Sequence, residues 1–91
     1  MPIRIQIPTP LRQHTNGQAT VDVSSAGTVQ AALQALTNQH PAVAPRLFEN
    51  GQLRRFVNIY LNDEDIRYLD NLGTPVKDGD EVSIIPAVAG G

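Results

Sequence analysis

The chain has 91 residues, a formal charge of −2 and no cysteine, which bounds it to one small domain without disulfides, thiolate metal sites or a cysteine nucleophile. The negative balance and an aromatic content of 4% argue against nucleic acid as a partner, because they supply neither a basic face nor a base-stacking platform. No apolar run reaches membrane-spanning length and the N-terminus does not read as a signal peptide, so the sequence predicts a cytoplasmic protein with no membrane partner, whose single core leaves little room for an enclosed active site.

Residues 3–7 alternate Ile3, Ile5 and Ile7 with Arg4 and Gln6, the period of a half-buried strand. Pro8 and Pro10 end it, and Asn16-Gly17 marks a turn in the polar connection that follows. Val21 and Val23 then recur at period two, which predicts a return strand over 20–24 beside the first. Thr28 has the chemistry of a helix N-cap, and Val29, Ala32, Leu33 and Leu36 fall on one helical stripe. His40-Pro41 stops that helix, since a residue before proline avoids the α region.

Residues 42–48 read as an irregular or helical turn anchored by Leu47 and Phe48, and Glu49-Asn50-Gly51 as a turn. Residues 56–61 form the most strand-like run: Val57, Ile59 and Leu61 face one way, Phe56, Asn58 and Tyr60 the other. Asn62-Asp63-Glu64-Asp65 reads as a polar turn and 66–68 as a short strand after it. Residues 69–74 make a loop with Leu72 pointing inward, Asp78-Gly79-Asp80 turns the chain, and 81–85 is the final strand. The result is an α+β fold: a mixed sheet of about four to five strands with one main helix on one face. The first and last strands are expected as parallel neighbours at its centre. The opposite face carries Arg4, Gln6, Asn58 and Ser83, with Phe56, Tyr60 and Ile85 as a candidate partner surface.

Residues 1–86 are thus expected to form the domain and 87–91 a flexible tail. Val82 to Ile85 is apolar and stops at Pro86; Ala87, Val88, Ala89, Gly90 and Gly91 follow. Proline cannot donate to a sheet ladder, and glycine lets backbone pass a narrow slot. Five extended residues reach about 17 Å, enough to carry a terminal carboxylate into another protein's active site.

The remaining polar clusters have plainer readings. Asp63, Glu64 and Asp65 suit a hairpin turn better than a metal or acid–base site. Asp78 and Asp80 suit a turn better than a calcium loop. His14 and His40 lack zinc-ligand spacing, so no metal is expected. Arg54 and Arg55 read as a solvated pair that can steer an acidic partner.

Two stretches carry a family resemblance. Asp78-Gly79-Asp80-Glu81-Val82, running through an apolar strand to Pro86-Ala87-Val88-Ala89-Gly90-Gly91, is similar to the end of the ThiS/MoaD-type sulfur carriers, which are ubiquitin-like β-grasp domains. The stretch Arg55-Phe56-Val57-Asn58-Ile59-Tyr60-Leu61-Asn62-Asp63-Glu64-Asp65-Ile66-Arg67, with Ile5-Gln6-Ile7-Pro8-Thr9 and Leu11-Arg12, resembles the branch that supplies sulfur for cysteine biosynthesis.

The resemblance implies a protein co-substrate rather than an enzyme. Its reacting group is the Gly91 carboxylate, with Gly90, Ala89 and Val88 threading the tail. It implies an E1-like adenylating enzyme of the MoeB/ThiF type that uses ATP, then a sulfur donor that leaves a thiocarboxylate. In the cysteine branch it implies a pyridoxal-phosphate-dependent cysteine synthase as acceptor and a zinc metallopeptidase that releases the product. No cofactor is expected on the carrier itself. Three alternatives stay open on the sequence: a carrier for molybdopterin or thiamin synthesis, a modifier joined to lysines of other proteins, and a noncovalent adaptor that uses only the sheet face. Lys77 is the only lysine, which disfavours long lysine-linked chains.

Overall fold

A computed structural model describes residues 2–24, 27–55 and 57–86. The alternation at the N-terminus becomes β1 (Ile3–Gln6), and the return strand is β2 (Thr20–Val23). They pair antiparallel with Ile3 opposite Val23 and Ile5 opposite Val21, so the branched apolar residues of both strands share one buried face. Pro8 and Pro10 divert the chain into a 3-10 turn, Thr9–His14. Thr15 is wholly buried beneath it, and its hydroxyl bonds to the carbonyls of Arg12 (3.3 Å) and Gln18 (3.0 Å).

The helical stripe becomes α1 (Val29–Gln39), which buries Val29, Ala32, Leu33 and Leu36 against the sheet. Thr28 caps it by accepting from the Ala31 amide at 3.2 Å, satisfying one of the donors a helix start leaves open. Past His40, a 3-10 turn (Pro41–Val43) and α2 (Ala44–Leu47) follow. Leu47 is a core anchor as expected, but its equal is Val43; Phe48 is only half-buried. The expected turn at Glu49-Asn50-Gly51 is the tip of a separate hairpin, β3 (Phe48–Glu49) with β4 (Gln52–Leu53). Asn50 and Gly51 both hold positive φ, the conformation a two-residue hairpin connection requires.

One expected strand is displaced. After β5 (Val57–Leu61), the returning strand β6 is Glu64–Asp65, and Ile66–Tyr68 is a 3-10 turn. Asn62 and Asp63 take positive φ, 50° and 72°, and close a two-residue turn. Pairing therefore starts at once, with Leu61 opposite Glu64 and Tyr60 opposite Asp65. The Asp65 carboxylate then accepts from the Arg67 amide at 2.9 Å, and this local cap bends the chain out of the sheet. Ile66 still reaches the core from the turn.

Gly79, at φ 89°, turns the chain into β7 (Glu81–Pro86). The sheet order is β2-β1-β7-β5-β6, with β7 parallel to β1 and antiparallel to β5. The last strand is thus the middle of the sheet, and α1 lies across one face. The start of α1 is pinned to the segment that leads into β7: Val29 N–H bonds to Thr74 O (2.9 Å) and Val76 N–H to Gly27 O (3.0 Å). Among the described residues no helix is long and apolar enough to cross a membrane.

Candidate functional site

The face opposite α1 is built by alternation along β5 and β7. Val82 and Ile84 point to the core, while Glu81, Ser83 and Ile85 point outward. On β5, Ile59 and Leu61 are buried, whereas Asn58 and Tyr60 are half-buried on the outer side. Register places Tyr60 beside Ser83 and Asn58 beside Ile85. Gln6 lies across from Ser83, and Arg4 from Glu81.

This face has two halves. Towards β2 it is polar: Gln6 Nε2 donates to Glu81 Oε2 at 3.1 Å, and Arg4 Nε stands 3.6 Å from Asp22 Oδ1. Towards the end of β7 it is apolar, with Ile85 44% exposed although its neighbour Ile84 is 3% exposed. Two of the three expected partner-surface residues, Tyr60 and Ile85, therefore share the outer face. Phe56 lies outside the described residues.

The hydrogen-bond register explains how β7 ends. Asn62 N–H donates to Glu81 O at 2.9 Å, so the backbone groups of residues 81, 83 and 85 face β5, and those of 82, 84 and 86 face β1. The β1 partnership ends at Ser83. The N–H that Pro86 lacks would have no ladder partner, so proline at the end of a central strand leaves no acceptor unpaired. The expected reacting and threading residues Gly91, Gly90, Ala89 and Val88, and the expected tail 87–91 as a whole, lie outside the described residues. Their anchor is described: it is β7, paired with β1 as far as Ser83 and with β5 as far as Pro86.

The acidic clusters serve local geometry. Asp65 is buried and grips Arg67 through two prongs, Nη2 to Oδ2 at 2.7 Å and Nε to the same oxygen at 3.1 Å. Hydrogen bonds from the Arg67 side chain and amide hold the Asp65 carboxyl below the usual carboxylate range. Asp80 accepts from Lys77 N–H (2.9 Å) and Asn62 Nδ2 (3.1 Å), and the first of these chiefly lowers its pKa. Asp63 and Glu64 are exposed. Among the described residues no group of three His, Cys, Asp or Glu side chains is placed to hold a metal ion.

The Asp65–Arg67 fork was not anticipated from the sequence. Its signal is an Asx turn, aspartate two residues before arginine at a strand exit. Tyr68, which the sequence pattern places in a short strand, is 82% exposed at the end of the 3-10 turn.

Comparison with known proteins places these features in context. The sequence pattern of the ThiS family matches residues 5–91. The chain is 46% identical over 94 residues to the sulfur carrier protein CysO of Mycobacterium tuberculosis, and the match covers the whole of both proteins. It is similar to a chain in the crystal structure of the Amycolatopsis orientalis BexX/CysO complex, with a TM-score of 0.90 and 42% identity over 98% of this chain and 99% of that one. Small archaeal modifier protein 3 of Haloferax volcanii is 38% identical over 69 residues, 76% of this chain and 75% of that protein. The five-stranded mixed sheet with α1 across it is the ubiquitin-like β-grasp architecture.

Proposed function

This chain belongs to the ThiS family, and we propose that it is a sulfur carrier for cysteine biosynthesis, a co-substrate of other enzymes rather than an enzyme itself. The observation that carries this reading is the end-to-end match to CysO at 46% identity. The central strand β7, leading through Pro86 towards Gly90 and Gly91, supports it.

The chemistry follows from what a carboxylate lacks. Oxide is a poor leaving group, so the Gly91 carboxylate must be activated before sulfur can enter. An E1-like adenylating enzyme provides this: a carboxylate oxygen attacks the α-phosphorus of ATP and pyrophosphate leaves. A sulfur donor then attacks the acyl carbon, AMP leaves, and Gly91 carries a thiocarboxylate. Positioning by the partner supplies the rate. The fold supplies a rigid handle, and residues 88–91 are small enough to pass a channel. The acceptor we assign is an aminoacrylate on a pyridoxal-phosphate cysteine synthase, with a zinc metallopeptidase releasing the product. The carrier itself would hold no cofactor, and such a route belongs in the cytoplasm. The existence of an Amycolatopsis orientalis BexX/CysO complex supports partnering by this fold, and Tyr60 with Ile85 is the face we assign to it.

The test is an intact mass after incubation with ATP, the cognate adenylating enzyme and a sulfur donor. The expected result is a gain equal to exchanging one oxygen for sulfur, absent when Gly91 is deleted; no gain with the complete system refutes the reading. Binding of the product to a cysteine synthase rather than a molybdopterin or thiamin synthase assigns the branch. The likeness to a small archaeal modifier protein favours one second reading, conjugation of Gly91 to lysines of other proteins. High-mass adducts that require Gly91 would establish that role.

A further inference from the structure

Arg54 and Arg55, both exposed, line the same groove. It has a volume of about 290 Å³, and Arg67 also lines it. Its floor is apolar, with Ile59, Ile66 and Leu72 among the lining residues, and no carboxylate lines it among the described residues. A chain of net charge −2 thus gathers three of its cations around one apolar slot.

Two of those charges are not neutralised within the described structure. Arg55 has no hydrogen bond or ion pair there, and Arg54 uses only Nη1, donated to Pro45 O at 3.2 Å. Arg67 is different: Asp65 takes its Nε and Nη2 and so fixes the plane of its guanidinium. The groove is therefore cationic by two, with a third arginine already oriented. Guanidinium forks match carboxylates in geometry, and an apolar floor selects a carbon side chain between them.

Position indicates whose carboxylates. Val57, which lines the groove, stands opposite Pro86, so part of the groove lies beside the last described residue before Gly91. A protein that binds the chain next to Pro86 is within reach of this groove. We infer that the groove receives an acidic segment of the tail-accepting partner, with one apolar side chain seated between its carboxylates. The partner's identity rests on the carrier reading; the chemistry of the groove does not.

The probe is the blocked peptide acetyl-Asp-Glu-Leu-Asp-Glu-amide, titrated into the full 15N-labelled chain. Expected are amide shifts confined to residues 53–59 and 66–72. Binding should weaken by about tenfold or more between about 0.05 and about 0.5 M salt. Arg54→Glu and Arg55→Glu should each weaken it by about tenfold, and Arg55→Glu, which breaks no hydrogen bond of the described structure, should do so without altering the melting temperature. The inference is overturned by an absence of shifts, by equal binding of the Asn/Gln/Leu analogue, by the same shifts with inorganic phosphate, or by shifts that track self-association in sedimentation. A chain that gains sulfur but binds no peptide overturns the groove alone. A chain that binds the peptide but never gains sulfur upholds the groove and removes the carrier reading.

Discussion

Pro86, the last residue of β7, stands directly opposite Val57, the first residue of β5. The described sheet pairing ends at this pair, and the described core is complete without Gly90 and Gly91 in it. Deleting Gly90 and Gly91 should therefore abolish thiocarboxylate formation while leaving the melting temperature unchanged. Thermal unfolding followed beside intact mass separates the two effects. A truncated chain that still accepts sulfur would contradict the assignment of Gly91.

Ile84 and Ile85 are adjacent and opposite. The first is buried under α1 and the second is 44% exposed on the outer face. Ile84→Ala should destabilise the domain by about 2–5 kcal/mol, since it leaves a cavity in close-packed surroundings. Ile85→Ala should change stability by less than about 1 kcal/mol and raise the KM of the adenylating enzyme for the carrier about tenfold. Tyr60→Ala should act in the same direction. Urea unfolding and initial adenylation rates measure both quantities, and a normal KM for both outer-face variants would remove this surface from partner binding.

How much of this was legible in the sequence differs by element. β1, β2, α1, β5 and β7 announced themselves by period, because each buries one face and exposes the other. Thr28 and Gly79 were readable because cap and turn chemistry is local. The parallel pairing of β1 with β7 followed from the order of elements. β6 was misplaced because Asn62 and Asp63 look like generic polar loop, yet their positive φ makes the tightest possible hairpin and moves the strand earlier. β3 and β4 were missed because two-residue strands have no period to read. The convergence of Arg54, Arg55 and Arg67 on one groove is set by the bend before β5 and the turn after β6, which composition does not reveal.

Acid should act through Asp65 and Asp80. Both carboxyls are held below their ordinary values, Asp65 by the Arg67 side chain and amide, Asp80 first by the Lys77 amide. A depressed folded-state pKa gives stability that is fully present above the unfolded value, about 3.9 for aspartate, and is lost as pH falls through the folded value. Stability should therefore be flat near neutrality and decline below about pH 4. Asp65→Asn should lower the plateau, because it breaks the fork to Arg67, and make the acid limb shallower. Urea midpoints measured across pH test this; an unchanged slope would mean that Asp65 does not link protonation to folding.

Asn62 joins the tip of the β5–β6 hairpin to the start of β7. Its Oδ1 accepts from Glu81 N–H at 3.0 Å, and its Nδ2 donates to Asp80 Oδ1 at 3.1 Å. Its φ of 50° lies where only glycine and, to a lesser degree, asparagine and aspartate sit comfortably. Two effects can thus be separated at one position. Asn62→Gly keeps the backbone relaxed and loses the exposed side-chain bonds, a loss of about 1 kcal/mol. Asn62→Ala loses the same bonds and adds the left-handed strain, for about 2 kcal/mol in total. Asn62→Asp keeps the acceptor for Glu81 but sets a second carboxylate against Asp80, so its deficit should shrink as salt rises, whereas those of the Gly and Ala variants should not. The expected order of stability at low salt is wild type, then Gly, then Ala. If Ala proves as stable as Gly, the turn has relaxed, and the early start of β6 is not enforced by the conformation at Asn62.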